Sequence, residues 1–516
     1  MKFKFFFPFL FIALFFISCS SQNTNEKTEE QKKIPYPHHG LSSYYNKDLA
    51  PFYHGVASGD PLPTAVIIWT KISPDFYSKV KVNVQVALDE KFSQIVQNKD
   101  VEADSSNDYI LKIDIQDLKP GTFYYYRFSA LGKWSPVGRT KTLADGRTEN
   151  VRLAFASCSN YAWGFFNPYR LMADDTLDAV VHLGDYIYEH SQTTYNNSSL
   201  NRKHLPDKEI VSLEDYRTRY AQYRLDNDLQ AVHSKHPFIV IWDDHEFANN
   251  AYVNGAGNHQ PDEGDWQTRL DAARKAYYEW MPVREQNNKQ LYRAFSFGDL
   301  VNLIMLDTRV EGRTVQVKGK SDLNYNDTNR KIISTEQFNW VADQLKSNKG
   351  QWKIIGNQVL FADMLCFFGK KGELYMDGWS GYPYQKKKFA ELVSAARNVA
   401  IVTGDFHSSF VYNNPRPDSD KGIQLPTIPE FIVPSITSAN YDEEYTIPQT
   451  NEFEKMYLKQ NKDLAWTDLN SHGYLLLKCD GKNMTAVFKF AETILKPSAN
   501  KKADIVFTWD GIKWIK

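Results

Sequence analysis

The sequence predicts an α/β layered body preceded by a small β-sandwich. From about residue 150 onward, apolar runs that each end in polar groups alternate with segments of helical period, the pattern of strands and helices stacked in layers. Between about Pro51 and Thr142, short strand-like runs succeed one another with Pro, Gly, Asp and Lys between them, as in an antiparallel sandwich. A chain of 516 residues also exceeds what one typical core requires, so at least two folded units are expected.

The N-terminus stands apart from both units. Lys2 and Lys4 precede an apolar run from Phe5 to Ile17 and small residues around Cys19. That reads as a secretory signal over 1–18, too short for an ordinary membrane span. Cys19, directly after FIS, resembles the cysteine of the bacterial lipoprotein lipobox, which is acylated and becomes the new N-terminus; the alternatives are an uncleaved anchor or a chance cysteine. The stretch SSQNTNEKTEEQKK has almost nothing apolar to bury, so 19–45 is expected to be a flexible tether. An exported protein follows, lipid-anchored to a bacterial membrane at the periplasmic face or the cell surface.

Composition is otherwise globular, with 42% hydrophobic, 24% charged and 14% aromatic residues and a net charge of −1. Such a balance carries no electrostatic footprint for stable nucleic-acid binding. With Cys19 spent on lipid, Cys158, Cys366 and Cys479 remain, an odd number that leaves at least one free thiol or metal ligand.

Within 46–145, strands are expected at AVIIWTKI, VKVNVQVALD, YILKIDIQDL and TFYYYRFSAL, with Pro120 and Gly121 turning the chain into the last as in fibronectin-type modules. ADGRTEN, 144–150, marks the boundary. In the body over 150–516, VRLAFASCSN, DAVVHLGD, HPFIVIWDDHE, LVNLIMLDTR, QWKIIGNQVLFA and NVAIVTGDFHSSF read as strands, and QTRLDAARKAYYEWM and YQKKKFAELVSAAR as helices. Ligands of such sheets gather outside the strand ends. There stand Cys158 and Asn160, Asp185 and Tyr188, Asp244 and His245, and Asp405 and His407.

Singly, each has a plain reading: Asp185 caps the next helix, Tyr188 packs on the sheet, His407 is a satisfied core histidine. Together they supply hard and soft ligands around one point, and a site of two or more metals is the simplest reading. A tyrosine, with an ordinary pKa of about 10, becomes a phenolate at working pH only beside a highly charged Lewis acid, so Tyr188 points to ferric iron. Asp185 can bridge that ion to a second one, and Asp244 suits the second metal. His245 suits proton transfer, and Asp405 and His407, two apart on an extended segment, point the same way. Asp243 and Glu246 are expected to form a solvated charged turn.

These residues resemble the metallophosphoesterase superfamily, and the GDxxY pattern from Asp185 to Tyr188 is similar to that of purple acid phosphatases, in which tyrosine binds Fe³⁺. More closely, GVASGDP (55–61), ASCSN (156–160), HLGDYIYE (182–189), WDDHEFANN (242–250), GNQV (356–359), TGDFHSSF (403–410) and LNSHGY (469–474) resemble the alkaline phosphatase D, or PhoD-like, family. The likeness runs in order over nearly the whole chain after the tether. It implies a four-layer α/β metallophosphoesterase sandwich with an N-terminal fibronectin/Ig-like β-sandwich domain, holding one Fe³⁺ and one or two Ca²⁺. Carried over position by position, Cys158, Asp185, Tyr188 and His407 hold iron, while Asp185, Asp244, Gln358 and Asp405 face calcium. A disulfide from Cys158 to Cys366 or Cys479 would undo the iron assignment. One departure is Ser380, which stands where the family carries Asp; an accessory calcium ligand is then missing unless Asp377 compensates.

The expected activity is hydrolysis of phosphomonoesters, phosphodiesters or both, with His245 assisting departure of the alcohol. Asn160 and Arg309 are candidate phosphate contacts, although Arg309 could equally pair with Asp307. The rival from another class is a surface binding lipoprotein whose metals are structural only; within the enzymes, a phospholipase-type or nucleotide-releasing phosphodiesterase is the variant. The loops at 191–209 and 254–265 are too long for mere connectors and are expected to shape or cover the cleft.

Overall fold

A computed structural model describes residues 34–286, 290–347, 350–367, 372–415 and 427–515. Alternation along the strands decides the layers. In Val301–Met305, Trp352–Asn357 and Val399–Thr403, the side chains of Leu303, Met305, Ile354, Ala400 and Val402 enter one core, while Ile304, Ile355, Val399 and Ile401 enter another. Successive side chains leave a strand on opposite faces, so a strand apolar at every position must be covered on both.

The first core lies between a seven-stranded sheet and a ten-stranded sheet that contributes Phe155, Val181 and Leu475, which share a face by register. The second lies under the helices Thr335–Ser347 and Pro383–Ala395, which contribute Val341, Leu345, Phe389 and Val393. The helices Asn167–Ala173, Leu213–Tyr223, Asn227–Lys235 and Trp266–Trp280 pack on the ten-stranded sheet. The result is the four-layer α/β sandwich expected from the sequence.

Strand direction then places the site. Asn150–Ala156, Ala179–His182 and Pro237–Val240 are parallel neighbours in the larger sheet; Val301–Met305, Trp352–Asn357, Val399–Thr403 and Ile428–Ile432 are parallel neighbours in the smaller. Their carboxyl ends therefore open on one side of each sheet, and a parallel bridge between Ser157 and Ser435 ties the two sets of ends together.

The N-terminal sandwich shares a layer with the body. Val80–Ala87, Ile95–Ala103, Phe123–Ala130, Lys133–Trp134 and Gly138–Lys141 form its own sheet. Val56–Gly59, Val66–Lys71 and Ile110–Ile115 instead extend the ten-stranded sheet, with Val56–Gly59 parallel to Pro237–Val240. Val66, Ile68, Val82, Val84, Tyr126 and Phe128 fill the space between the two layers. Ile95–Ala103 went unread in the sequence because it is mostly exposed and polar, as edge strands are.

The tether expected over 19–45 is shorter than that, since residues 34–45 pack onto the protein. Leu41 is fully buried; Lys71, also buried, donates to the Tyr36 hydroxyl at 2.9 Å and pairs with Asp108 at 2.7 Å. His39 joins Asp108 to Glu214 of the body helix Leu213–Tyr223, at 2.8 Å from each. Tyr36 and Leu41 supply the apolar burial that the preceding stretch lacks. The signal expected over 1–18 and the remainder of the tether lie outside the described residues. No helix among the described residues is long and apolar enough to cross a membrane.

Candidate metal centre

The chain bends sharply where it leaves the parallel strands. Cys158, Asp185, Asp405 and His407 have φ of 60°, 55°, 64° and 65°, in the left-handed region. That region costs a residue with a Cβ about 1–2 kcal/mol, so four such residues converging on one point mark a place where geometry is imposed by the surroundings. Gly184, at φ 111°, lets the Asp185 loop lie directly on the Asp243 loop; a Cβ there would stand 2.4 Å from the Asp243 backbone nitrogen. Cys158 is anchored through its carbonyl, which accepts from the Ser438 amide at 3.1 Å and hydroxyl at 2.9 Å.

Ligand atoms of Cys158, Asp185 and His407 lie within 4.8 Å of one another, as do those of Asp243, Asp244 and Asp405 and those of Asp185, Asp244 and His245. The Tyr188 hydroxyl is 3.1 Å from Asp185 Oδ2 and 3.4 Å from His407 Nε2, and accepts from Ser438 Oγ at 2.5 Å. His407 Nδ1 meets the Ala439 carbonyl at 2.9 Å, which assigns the proton to Nδ1 and leaves Nε2 as a lone-pair donor toward the centre. Burial holds His407 down to about 4, in the neutral form that a metal takes. Cys158, Cys366 and Cys479 are all free thiols, so no disulfide competes for Cys158.

Without a cation this arrangement is poorly satisfied. Burial, with Asp185 beside them, pushes the Cys158 thiol and the Tyr188 phenol well above their ordinary ranges; burial likewise raises the Asp185 carboxyl and brings Asp405 to about 6. Asp243 Oδ2 and Asp244 Oδ1 are buried acceptors with no hydrogen-bond partner. Buried acceptors are normally matched by donors or ions, so the residues present fit metal cations.

Arg309 is the positive charge at this cluster. Its fully buried guanidinium contacts Asp243 through Nε, Asp377 through Nη1 at 2.8 Å, and Asp405 through Nη2 at 2.9 Å, with Asp244 at 3.6 Å. Asp307 instead accepts from the Arg309 amide at 3.0 Å and from Trp242 Nε1 at 2.7 Å. The expected Arg309–Asp307 side-chain pairing is not formed: the guanidinium is an internal counter-charge to the other carboxylates. Asn160 also has a positioning task, since its Nδ2 donates to the Tyr195 carbonyl at 3.2 Å and its Oδ1 accepts from the Ala162 amide at 2.9 Å.

Three further expectations are corrected. Gln358, expected to face calcium, gives Oε1 to the Thr308 amide and hydroxyl at 2.9 and 2.7 Å and donates to the Leu306 carbonyl at 2.7 Å, so both ends of its amide hold the adjoining loop. Asp377 does not stand in for the residue replaced by Ser380, because Arg309, Arg313 and Gln316 engage it and, against the cost of burial, draw it to about 2; Ser380 itself donates to Asp363. Asp243 and Glu246 form no solvated turn: both are buried. Glu246 accepts from the amides of Asp185, Tyr186 and Asp243 at 3.0, 2.7 and 2.8 Å, pinning two ligand loops to each other.

His245 stands beside the centre, its ring 4.3 Å from that of Tyr188. Its Nδ1 is 2.6 Å from Glu189, which also accepts from the Asn249 amide at 2.7 Å and from Asn258 Nδ2 at 2.8 Å. Glu189 carried no role in the sequence reading although it closes the same HLGDYIYE stretch, because its partner lies in a different strand-end loop. Tyr195 and Asn258 come from the two long loops expected near the cleft.

Comparison with known proteins gives concordant matches. The family model described as PhoD-like phosphatase matches residues 153–488, and that described as PhoD-like phosphatase, N-terminal domain, matches 40–144. Alkaline phosphatase D of Bacillus subtilis (strain 168) is 38% identical over 410 residues, covering 75% of this chain and 70% of that protein. A solved structure of PhoD superposes with a TM-score of 0.82 at 31% identity, over 91% of this chain and 93% of that one.

Glu246→Gln would turn an amide N–H toward donors that now meet a carboxylate. We expect metal affinity to fall about 10–100-fold, measured by equilibrium dialysis of the folded protein. Unaltered affinity would show that the two loops do not depend on this side chain.

Proposed function

The chain belongs to the PhoD-like phosphatase family, whose members hydrolyse phosphoric esters, and on that premise we propose an exported, lipid-anchored phosphoesterase that cleaves phosphomonoesters, phosphodiesters or both, using iron and calcium. The observation that carries this reading is the meeting of Cys158, Asp185, Tyr188 and His407 at one point, with Asp244 and Asp405 beside it. A thiolate, a phenolate and an imidazole suit ferric iron, and the oxygen donors of Asp185, Asp244 and Asp405 suit calcium. Bound there, the ions supply Lewis acidity and neutralise charge on the phosphoryl oxygens.

The protein's own residues supply the proton and the geometry. Burial alone would depress His245, but Glu189, Asp185 and Asp244 outweigh it and raise the imidazole's affinity for a proton above its ordinary value. With Nδ1 held by Glu189, Nε2 is the nitrogen left to deliver that proton to the departing alcohol oxygen. Glu189 is thus a positioning residue, and Arg309 keeps the carboxylate array together. Family membership in a hydrolase group sets aside the binding-lipoprotein reading.

Export and anchoring rest on the apolar run before Cys19. Partition of the full chain into a detergent phase, lost in Cys19→Ser, is the expected result, and partition unaffected by that substitution would remove the lipid anchor.

The reading of the metals is tested by visible absorption after loading with Fe³⁺ and Ca²⁺. A broad phenolate-to-iron band is expected, absent in Tyr188→Phe. A colourless, folded and loaded wild type would reject ferric iron at Tyr188.

His245→Ala is expected to lower kcat about 10²–10⁴-fold on an alkyl phosphate, whose alkoxide needs a proton, and far less on p-nitrophenyl phosphate, whose leaving group does not. Equal losses on both esters would assign His245 a role other than general acid.

A further inference from the structure

A cavity of about 250 Å³ adjoins the metal centre, bordered on one side by Asp405 and His407. The space is therefore within reach of an ester substituent of a phosphoryl group held at the centre. Five rings form the walls: Tyr195, Tyr375, Phe406, Tyr441 and Tyr445.

The rings are held in place. Tyr195 lies nearly parallel to His407, at 16° and 6.5 Å between centroids, and its hydroxyl is 3.5 Å from His407 Nδ1. The Tyr375 hydroxyl donates to Asp405 Oδ2 at 2.6 Å, and its ring meets Phe406 edge-on at 5.3 Å. Tyr441 shares a hydrogen bond of 2.6 Å with Tyr457, and Tyr445 packs edge-on against Phe453 at 4.9 Å. Three of the four tyrosines therefore spend their hydroxyls on the protein, and the cavity offers mainly aromatic surface.

Charge and size narrow the occupant. The acidic side chains among the described lining residues are Asp405 and Glu444, and there is no Lys or Arg among them, so a second phosphate finds no basic side chain there. A volume of 250 Å³ falls below the roughly 300–1,000 Å³ typical of pockets for drug-sized ligands, a size that suits a single ring.

We propose that this cavity stacks a planar ring of the ester substituent, making nucleoside phosphates the preferred substrate class. The proposal rests on the phosphoesterase reading above. The test uses the metal-loaded full chain with thymidine monophosphate, glucose phosphate and glycerol phosphate. Tyr445→Leu should lower kcat/KM for thymidine monophosphate about tenfold, through KM, with the other two esters unchanged, and Tyr445→Phe should retain the wild-type value. Tyr441→Leu probes the same wall if Tyr445→Leu does not fold. An equal loss on all three esters, or no loss on thymidine monophosphate, would overturn the ring pocket. A matching loss on glucose phosphate would overturn the nucleoside class. Failure of the wild type to turn over any of the three would instead overturn the phosphoesterase reading itself.

Discussion

Asp243, Asp244, Asp377 and Asp405 are drawn around the single guanidinium of Arg309, itself fully enclosed. Carboxylates brought this close in a low-dielectric interior repel one another and are expensive to keep ionised. One positive charge, with Arg313 serving only Asp377, does not balance them. Asp185 adds a further carboxylate with no basic partner of its own except His245 nearby, and the orphaned oxygens of Asp243 and Asp244 mark where compensation is missing. The site thus gains from a polyvalent cation twice over, by charge and by filling open acceptor positions. Buried ion pairs are weak contributors to net stability, so this concentration of charge is better explained by chemistry than by folding.

Holding such an array requires a frame that does not yield. Two sheets deliver parallel strand ends to one edge, the Ser157–Ser435 bridge joins them, Glu246 fastens the Asp185 and Asp243 loops, and Gln358 fastens the loop that carries Arg309. Left-handed conformations at Cys158, Asp185, Asp405 and His407 persist because these fastenings leave the chain no cheaper path. Around the cluster, Glu189 orients His245 and the Ala439 carbonyl orients His407, so the direction of each imidazole is set by a neighbour. The N-terminal unit joins the same frame, since three of its strands form one end of the body's large sheet and His39 bridges it to the helix Leu213–Tyr223.

Much of this was legible in the linear chain, and for identifiable reasons. Strands such as Val399–Thr403 announce themselves by apolar runs, and the residues immediately after them are fixed near the strand end by covalent connection alone. Cys158, Asp185, Tyr188, Asp244, Asp405 and His407 could therefore be gathered before any fold was known. The polar edge strand Ile95–Ala103 gave no such signal, and Asp243 and Glu246 looked like any charged turn because burial is a property of what surrounds a residue.

By itself, then, the sequence determined the layered α/β class and the strand ends, which follow from local periodicity, and the cluster of candidate ligands just beyond them, which chain connectivity keeps at those ends. Tertiary structure alone decided that Arg309 balances several carboxylates at once, that Gln358 braces a loop, that Glu189 holds His245, and that the sandwich borrows a layer from the body. Each of these is a contact between segments far apart in the chain. Such contacts depend on relative position and enclosure, which leave no period, spacing or composition in the sequence from which they could be read.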